Sequence, residues 1–146
     1  MYHVLVPIDV EERRVRSQIE AVLDLDDAGT AVKADVLYVY DEIDAPADEA
    51  GGRYIDDINE NIADLQGLPE TADLIREELE DAGIETTVHD VAGDPAAAIL
   101  ELAEEFDVDA IVLGTRRRSR VGKALFGSVT QEVIKDSDRP VIAAPE

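Results

Sequence analysis

The fold is decided by residues 110–130, which read A-I-V-L-G-T-R-R-R-S-R-V-G-K-A-L-F-G-S-V-T. The apolar run at 110–113 predicts a buried strand, and Val129 and Val133 lie at helical spacing after Gly127. A helix start presents backbone N–H groups without intrahelical partners, and it carries the positive end of the helix dipole. Such a start binds anions. We interpret the stretch as a strand, a basic loop and a helix start that together form a phosphate-binding site.

Short apolar strands alternate with amphipathic helices on both sides of this stretch. Periodicity predicts strands over residues 2–8, 31–40, 84–91, 109–113 and 140–144. Helices are expected from Asp9 or Glu11 to Gly29, over 55–65, from Pro69 to Gly83, from Pro95 through Phe106, and from Ser128 to about Asp136. This alternation predicts a single α/β domain over residues 1–146, a Rossmann-like, five-stranded, parallel, doubly wound sheet.

Ligands of such sheets bind beyond the carboxyl ends of the strands, at the point where the strand order reverses. If the strands at 2–8 and 109–113 are central neighbours, Asp9 and the loop that begins at Gly114 open onto the same crevice. The strand at 84–91 is expected at an edge of the sheet. We interpret His3 and His89, which lie in strand patterns, as structural or surface residues.

The chain is strongly acidic, with a formal charge of -22 from 35 Asp and Glu against 13 Lys and Arg. An acidic coat of this kind is typical of halophilic proteins, because concentrated salt screens the repulsion between its charges. We expect the fold to weaken as salt is removed. The coat also repels the phosphates of nucleic acids, so nucleic acid is not expected as a partner.

Several function classes find no support in the sequence. There is no cysteine, and His3 and His89 are too separate to predict a metal site. No apolar run has the length of a membrane span, which is about 18 residues, and the start lacks a basic signal-peptide region. We therefore expect a cytoplasmic protein without membrane contact. Ser119 and Ser128 have no evident histidine partner, and the phosphate-loop motif of classical nucleotide hydrolases is missing.

A set of short motifs resembles the universal stress protein family along essentially the whole chain. They are V-P-I-D ending at Asp9, L-Y-V-Y-D around Val39, G-D-P at 93–95, and Gly114 followed by G-S-V-T at 127–130. The family pattern of the loop is G-x2-G-x9-G-[ST]. Its spacing is kept here, but Arg117 stands at the position of the second glycine. The turn after the first strand reads D-V-E-E where D-G-S-E is common in the family.

Family members with the full pattern bind ATP, so the resemblance implies a Rossmann-like fold of the adenine nucleotide alpha hydrolase type that binds ATP or another adenine nucleotide, with Mg²⁺ bridging the phosphates. The resemblance assigns the adenine and ribose pocket to Pro7, Asp9, Val39 and Leu113. It assigns the phosphates to Gly114, Gly127, Ser128, Val129 and Thr130. Arg117 either offers its guanidinium to a phosphate or fills the pocket with its bulk.

Each of these features also has a purely structural interpretation. Asp9 is a common residue type at a helix N-cap, and Gly127 with Ser128 can form such a cap as well. Five of the 13 cations lie between residues 116 and 123, and they can pair with carboxylates of this chain or of a neighbouring subunit. Exposed pairs of that kind contribute little stability.

The resemblance also implies a homodimer built through the last strand, around Val141, Ile142 and Ala143. An apolar edge strand that is left bare favours pairing with another chain. We therefore expect a dimeric, ATP-binding sensor or regulator of the stress response. We do not expect an enzyme, although slow incidental ATP hydrolysis fits the fold. The alternative is a nucleotide-free dimeric interaction module, in which Arg117 fills the pocket and the basic loop docks an acidic partner.

Overall fold

The structure is a computed structural model that describes residues 1–40, 68–116 and 127–146 of the chain. The helix predicted over 55–65 lies outside these residues, and so do Arg117, Arg118, Arg120 and Lys123 of the basic loop.

Five strands and four helices alternate in the described residues. The strands are β1 (Tyr2–Ile8), β2 (Val32–Tyr40), β3 (Glu85–Ala92), β4 (Ala110–Thr115) and β5 (Val141–Pro145). The helices are α1 (Glu12–Asp27), α2 (Glu70–Asp81), α3 (Pro95–Glu105) and α4 (Ser128–Asp136). Each predicted strand is present in the described residues; the bounds of β1 agree with the prediction, and the ends of the other strands differ from it by at most two positions.

All strand pairs are parallel, and the strands lie in the order β3-β2-β1-β4-β5. The order therefore reverses between β1 and β4, as the sequence predicts, and β3 and β5 are the edges. The ladder between β1 and β4 is short, since it pairs only Val4 with Ala110 and Leu5 with Ile111. Beyond those pairs the two strands separate, which opens the sheet at the carboxyl end of β1.

Helices cover both faces of the sheet, because alternate residues of each buried strand are apolar on both sides. Val4, Val6, Val36 and Val112 face α1 and α2, where Val15, Ile19, Ile75 and Leu79 complete one core. Leu5, Leu37, Ile111 and Leu113 face α3 and α4, where Ile99, Ala103 and Val133 complete the other. The architecture is the doubly wound sheet that the alternation of elements predicts.

Turn chemistry fixes where the helices begin and end. Gly29 and Gly83 follow α1 and α2 with φ of 92° and 84°, a left-handed conformation that favours glycine after a helix. Asp94 caps α3 by accepting the N–H of Ala97 at 3.0 Å, and Pro95 occupies the first turn. Pro69 is the N-cap of α2, one position before the first turn in which the sequence places it. No helix in the described ranges is long and apolar enough to cross a membrane.

Candidate functional site

A cavity of about 350 Å³ lies where β1 and β4 separate. We call it the strand-end cavity. Its walls come from the carboxyl ends of three strands and from the first turns of α1, α3 and α4. The lining residues include Pro7, Asp9, Leu37, Val39, Leu113, Gly114, Val129 and Thr130. The apolar members of this group form a slot, and Asp9 is a carboxylate at its edge.

A second cavity of about 210 Å³ continues from it toward the start of α4. We call it the helix-start cavity. It is lined by Thr115, Arg116, Gly127 and Ser128 together with residues of the strand-end cavity. The two cavities together are the crevice. No side chain caps α4 in the described part of the structure, and its N-cap residue is Gly127. The first-turn N–H groups therefore face a cavity of the size of a phosphate group or two.

Gly127 and Gly114 meet different physical demands in the structure. Among the described residues, a Cβ at Gly127 would meet only Arg116, at 3.9 Å, and the φ of Gly127 is -72°, a value that any residue can adopt. A Cβ at Gly114 would lie 3.1 Å from the Cβ of Arg14 and 3.2 Å from Gln18. Gly114 therefore serves the close packing of α1 on β4, while Gly127 leaves space in the cavity.

Asp9 is not the N-cap of α1, because the helix begins at Glu12 and its N-cap is Glu11. The Asp9 carboxylate instead accepts the N–H of Glu11 at 2.9 Å and Nε of Arg14 at 2.8 Å. Its carbonyl oxygen accepts the hydroxyl of Thr71 at 2.6 Å, which ties α2 to the crevice. About half of the Asp9 side chain is exposed, at 49%. The carboxylate is thus fixed in direction and still accessible to a ligand hydroxyl.

Gln18 holds the crevice open, and the sequence analysis missed it. Its amide Nε2 donates to the carbonyl of Pro7 at 2.6 Å and to the carbonyl of Val112 at 3.0 Å. Pro7 has no N–H with which to continue the ladder toward β4, so the side chain of α1 bridges the gap between the strands. A glutamine among the apolar positions of a predicted helix was the only signal in the sequence.

The crevice brings together the sequence-predicted site residues that the structure describes. Pro7, Asp9, Val39, Leu113, Gly114, Val129 and Thr130 line the strand-end cavity, and Gly127 and Ser128 line the helix-start cavity. Thr130 is buried at 8% exposure, whereas Ser128 is exposed. The role of Arg117 stays a prediction, because this residue lies outside the described ranges.

A third groove, of about 610 Å³, has a different character. It lies between the starts of α1 and α2, and its walls carry four carboxylates, from Glu12, Glu70, Asp73 and Glu77. Negative walls repel phosphate, so this larger space does not compete with the crevice as a nucleotide site.

His3 near the start of β1, Asp35 in the first half of β2 and His89 in the middle of β3 form a cluster, and none of the three lines either cavity. Both histidines hydrogen-bond the same carboxylate, and Nε2 of His89 lies 2.8 Å from Oδ1 of Asp35. Burial by itself would raise the pKa of Asp35, but hydrogen bonds from His89 and His3 outweigh it and hold the pKa below its ordinary value.

The sequence predicts structural or surface roles for these two histidines, but it does not predict their shared partner Asp35, because strand order cannot be read from their spacing. Phe106 at the end of α3 stacks on His89 with ring centres 4.9 Å apart. Within the described ranges, no group of three or more His, Cys, Asp or Glu side chains is arranged to hold a metal ion. Because the Asp35 carboxylate of β2 binds an imidazole from β1 and one from β3, the cluster is a polar clamp across three strands.

The chain belongs to the universal stress protein family, whose model matches residues 1–145. A universal stress protein of Methanocaldococcus jannaschii is 40% identical over 68 residues, which are 47% of this chain and 42% of that protein. The matched segment thus spans less than half the length of this relative.

Solved structures of the family share the whole fold. The universal stress protein of Archaeoglobus fulgidus is 29% identical, with a TM-score of 0.65 over 98% of each chain. A universal stress protein from the same organism, in complex with dAMP, is 25% identical with a TM-score of 0.62 over 98% of this chain and 97% of that one. The adenine nucleotide is a property of that relative.

Proposed function

We propose that this protein binds an adenine nucleotide, with ATP as the first candidate, and acts as a sensor or regulator in the stress response. The observation that carries the proposal is the continuity of the two cavities, which places an apolar slot and the Asp9 carboxylate beside the open first turn of α4. The slot suits a base, the carboxylate suits ribose hydroxyls, and the helix start suits phosphates. The dAMP complex of a relative supports this assignment.

Further parts of the proposal concern the surroundings of the site. Mg²⁺ would accompany ATP and bridge its phosphates, because the surrounding protein is strongly anionic. We propose a homodimer through β5, since this edge strand presents an exposed Ala143 beside the half-buried Val141 and Ile142. We also propose a cytoplasmic location and, because of the acidic composition, a requirement for concentrated salt. Turnover of ATP, if any, is slow and incidental.

The experiment that tests the proposal begins with protein purified in concentrated KCl. The protein is denatured, and the supernatant is analysed for released adenine nucleotide by ion-exchange chromatography. Protein without nucleotide is then titrated with Mg-ATP while its melting temperature is followed. Released nucleotide near one per chain, or a melting temperature that rises with Mg-ATP, supports the proposal. If neither is seen, the nucleotide-free interaction module, with Arg117 filling the pocket, replaces it.

Replacing Gly127 by alanine is expected to separate binding from folding. Because the new Cβ makes an ordinary contact with Arg116 and alanine is a poorer N-cap residue than glycine, the free energy of unfolding should fall by no more than about 1 kcal/mol. The same methyl group enters the helix-start cavity, so we expect the affinity for Mg-ATP to fall by about tenfold. Chemical denaturation and calorimetric titration measure the two effects. Unchanged affinity would show that phosphates do not approach Gly127.

A further inference from the structure

Arg14 lies where the two cavities join, and the sequence motifs assign it no role. It lines both the strand-end cavity and the helix-start cavity, and it is the only cation among the described residues that lines both. Its side chain is 25% exposed. A nucleotide with its nucleoside in the strand-end cavity and its phosphates in the helix-start cavity would pass beside this guanidinium.

Two carboxylates hold the Arg14 guanidinium in place. Nε lies 2.8 Å from Oδ2 of Asp9, and Nη1 lies 3.5 Å from Oε2 of Glu146. Within the described part of the chain, Nη2 has no hydrogen-bond partner. A guanidinium carries five N–H donors, so these two contacts leave donors for a further anion.

The charge balance around the crevice depends on Arg14. In the described residues, Asp9 and Glu146 contribute two negative charges, and Arg14 and Arg116 contribute two positive charges. Without Arg14 this group becomes net negative, within a chain whose formal charge is already -22. The partial positive charge of a helix start, about half a charge, does not offset that change for a multiply charged phosphate chain.

We propose that Arg14 is the residue by which this crevice selects phosphorylated adenine nucleotides over adenosine. Asp9 holds Nε, which orients the guanidinium, and Nη2 donates to the phosphate nearest the ribose. The same ion pair neutralises Asp9, so the carboxylate accepts a ribose hydroxyl without repelling the phosphates. This inference rests on the proposed nucleotide-binding function and adds to it the residue that sets ligand charge preference.

The test compares adenosine, AMP and Mg-ATP by calorimetric titration of the wild-type protein and of Arg14→Gln in concentrated KCl. Arg14→Gln removes the proposed hydrogen bond between a charged guanidinium and a charged phosphate. We therefore expect the affinity for AMP and Mg-ATP to fall about tenfold to a hundredfold in the variant. Affinity for adenosine should change less than about threefold, because its binding uses no phosphate contact. Arg14→Lys should restore part of the AMP affinity, since it restores the charge without the planar fork.

Arg16→Gln is the matched control, because it removes the same charge two positions along the same helix. Arg16 points away from the crevice toward Glu12, with Nε 2.8 Å from its carboxylate, and it should leave all three affinities unchanged. Circular dichroism and melting temperature establish that both variants fold.

The outcomes separate the inference from the function on which it rests. An equal loss for adenosine and AMP in Arg14→Gln would overturn the inference and make Arg14 a positioning residue for Asp9. Unchanged AMP affinity in this variant would overturn it as well, while nucleotide binding by the wild type would stand. If the wild-type protein binds none of the three compounds, the proposed function and the inference fall together.

Discussion

Replacing Gln18 by methionine is expected to lower the free energy of unfolding by about 2–4 kcal/mol. Gln18 is buried at 1% exposure, and its amide is shared by the carbonyls of Pro7 and Val112. Methionine has a similar volume and cannot donate, so both carbonyls would lose this donor at a buried position. The cost arises from polar groups left without a partner and not from a cavity. Urea or guanidinium denaturation in concentrated KCl measures the loss.

Glu20→Met provides the control, because Glu20 is exposed on the same helix and methionine has a similar helix propensity. This substitution should change the free energy of unfolding by less than about 0.5 kcal/mol. If Gln18→Met is as stable as Glu20→Met, the bridge between β1 and β4 does not contribute to stability in solution.

Replacing Asp35 by asparagine is expected to lower the free energy of unfolding by about 2 kcal/mol near neutral pH. Asp35 is 6% exposed and accepts hydrogen bonds from two imidazoles, so its charged form is favoured in the folded protein. Asparagine keeps the shape of the side chain but not the charge. The variant therefore isolates the contribution of the carboxylate to the clamp across β1, β2 and β3.

The pH dependence of this effect has a definite sign. Since the pKa of Asp35 is lower in the folded chain than in the unfolded chain, its contribution is present above the ordinary aspartate pKa of about 4. The contribution is lost as the pH falls through the lowered value. The difference in stability between the wild type and Asp35→Asn should thus be largest near neutral pH and shrink below about pH 4.

Denaturant unfolding of both proteins across this pH range measures the difference in their free energies of unfolding. The contributions of the other carboxylates cancel in this difference, because both proteins carry them. Asp107→Asn is the control, since Asp107 is 92% exposed and its φ of 52° suits asparagine as well as aspartate. Its pair with Arg139 lies at the surface, and such pairs contribute little. A constant difference from neutral to acid pH for Asp35→Asn would contradict the assigned role.

The comparison between prediction and structure has a clear physical pattern. The predicted strands and helices rest on local signals, such as the apolar runs of β1 and β4, Gly29 after α1, and the cap at Asp94. The alternation of elements predicted a parallel sheet, and the crevice was predicted on the condition that β1 and β4 are central neighbours, which the strand order confirms. These features depend on neighbours along the chain.

Side-chain partners across the sheet could not be predicted. Gln18 lies 94 positions from Val112, and His3 lies 86 positions before His89, so their meeting depends on strand order and register. The contacts of Arg14 could not be predicted for the same reason, because the two carboxylates that it contacts come from the turn after β1 and from the residue after β5.

The sequence by itself determined the doubly wound sheet, the helix start after Gly127 and the acidic composition, since hydrophobic periodicity, turn residues and net charge are local or additive properties. Only the tertiary structure decided which polar groups meet. In the packed structure, Gln18 bridges the gap between β1 and β4, Asp35 contacts two histidines, and Arg14 lies at the junction of the two cavities. A hydrogen bond depends on distances of a fraction of an ångström, which only the packed register of the strands and helices sets.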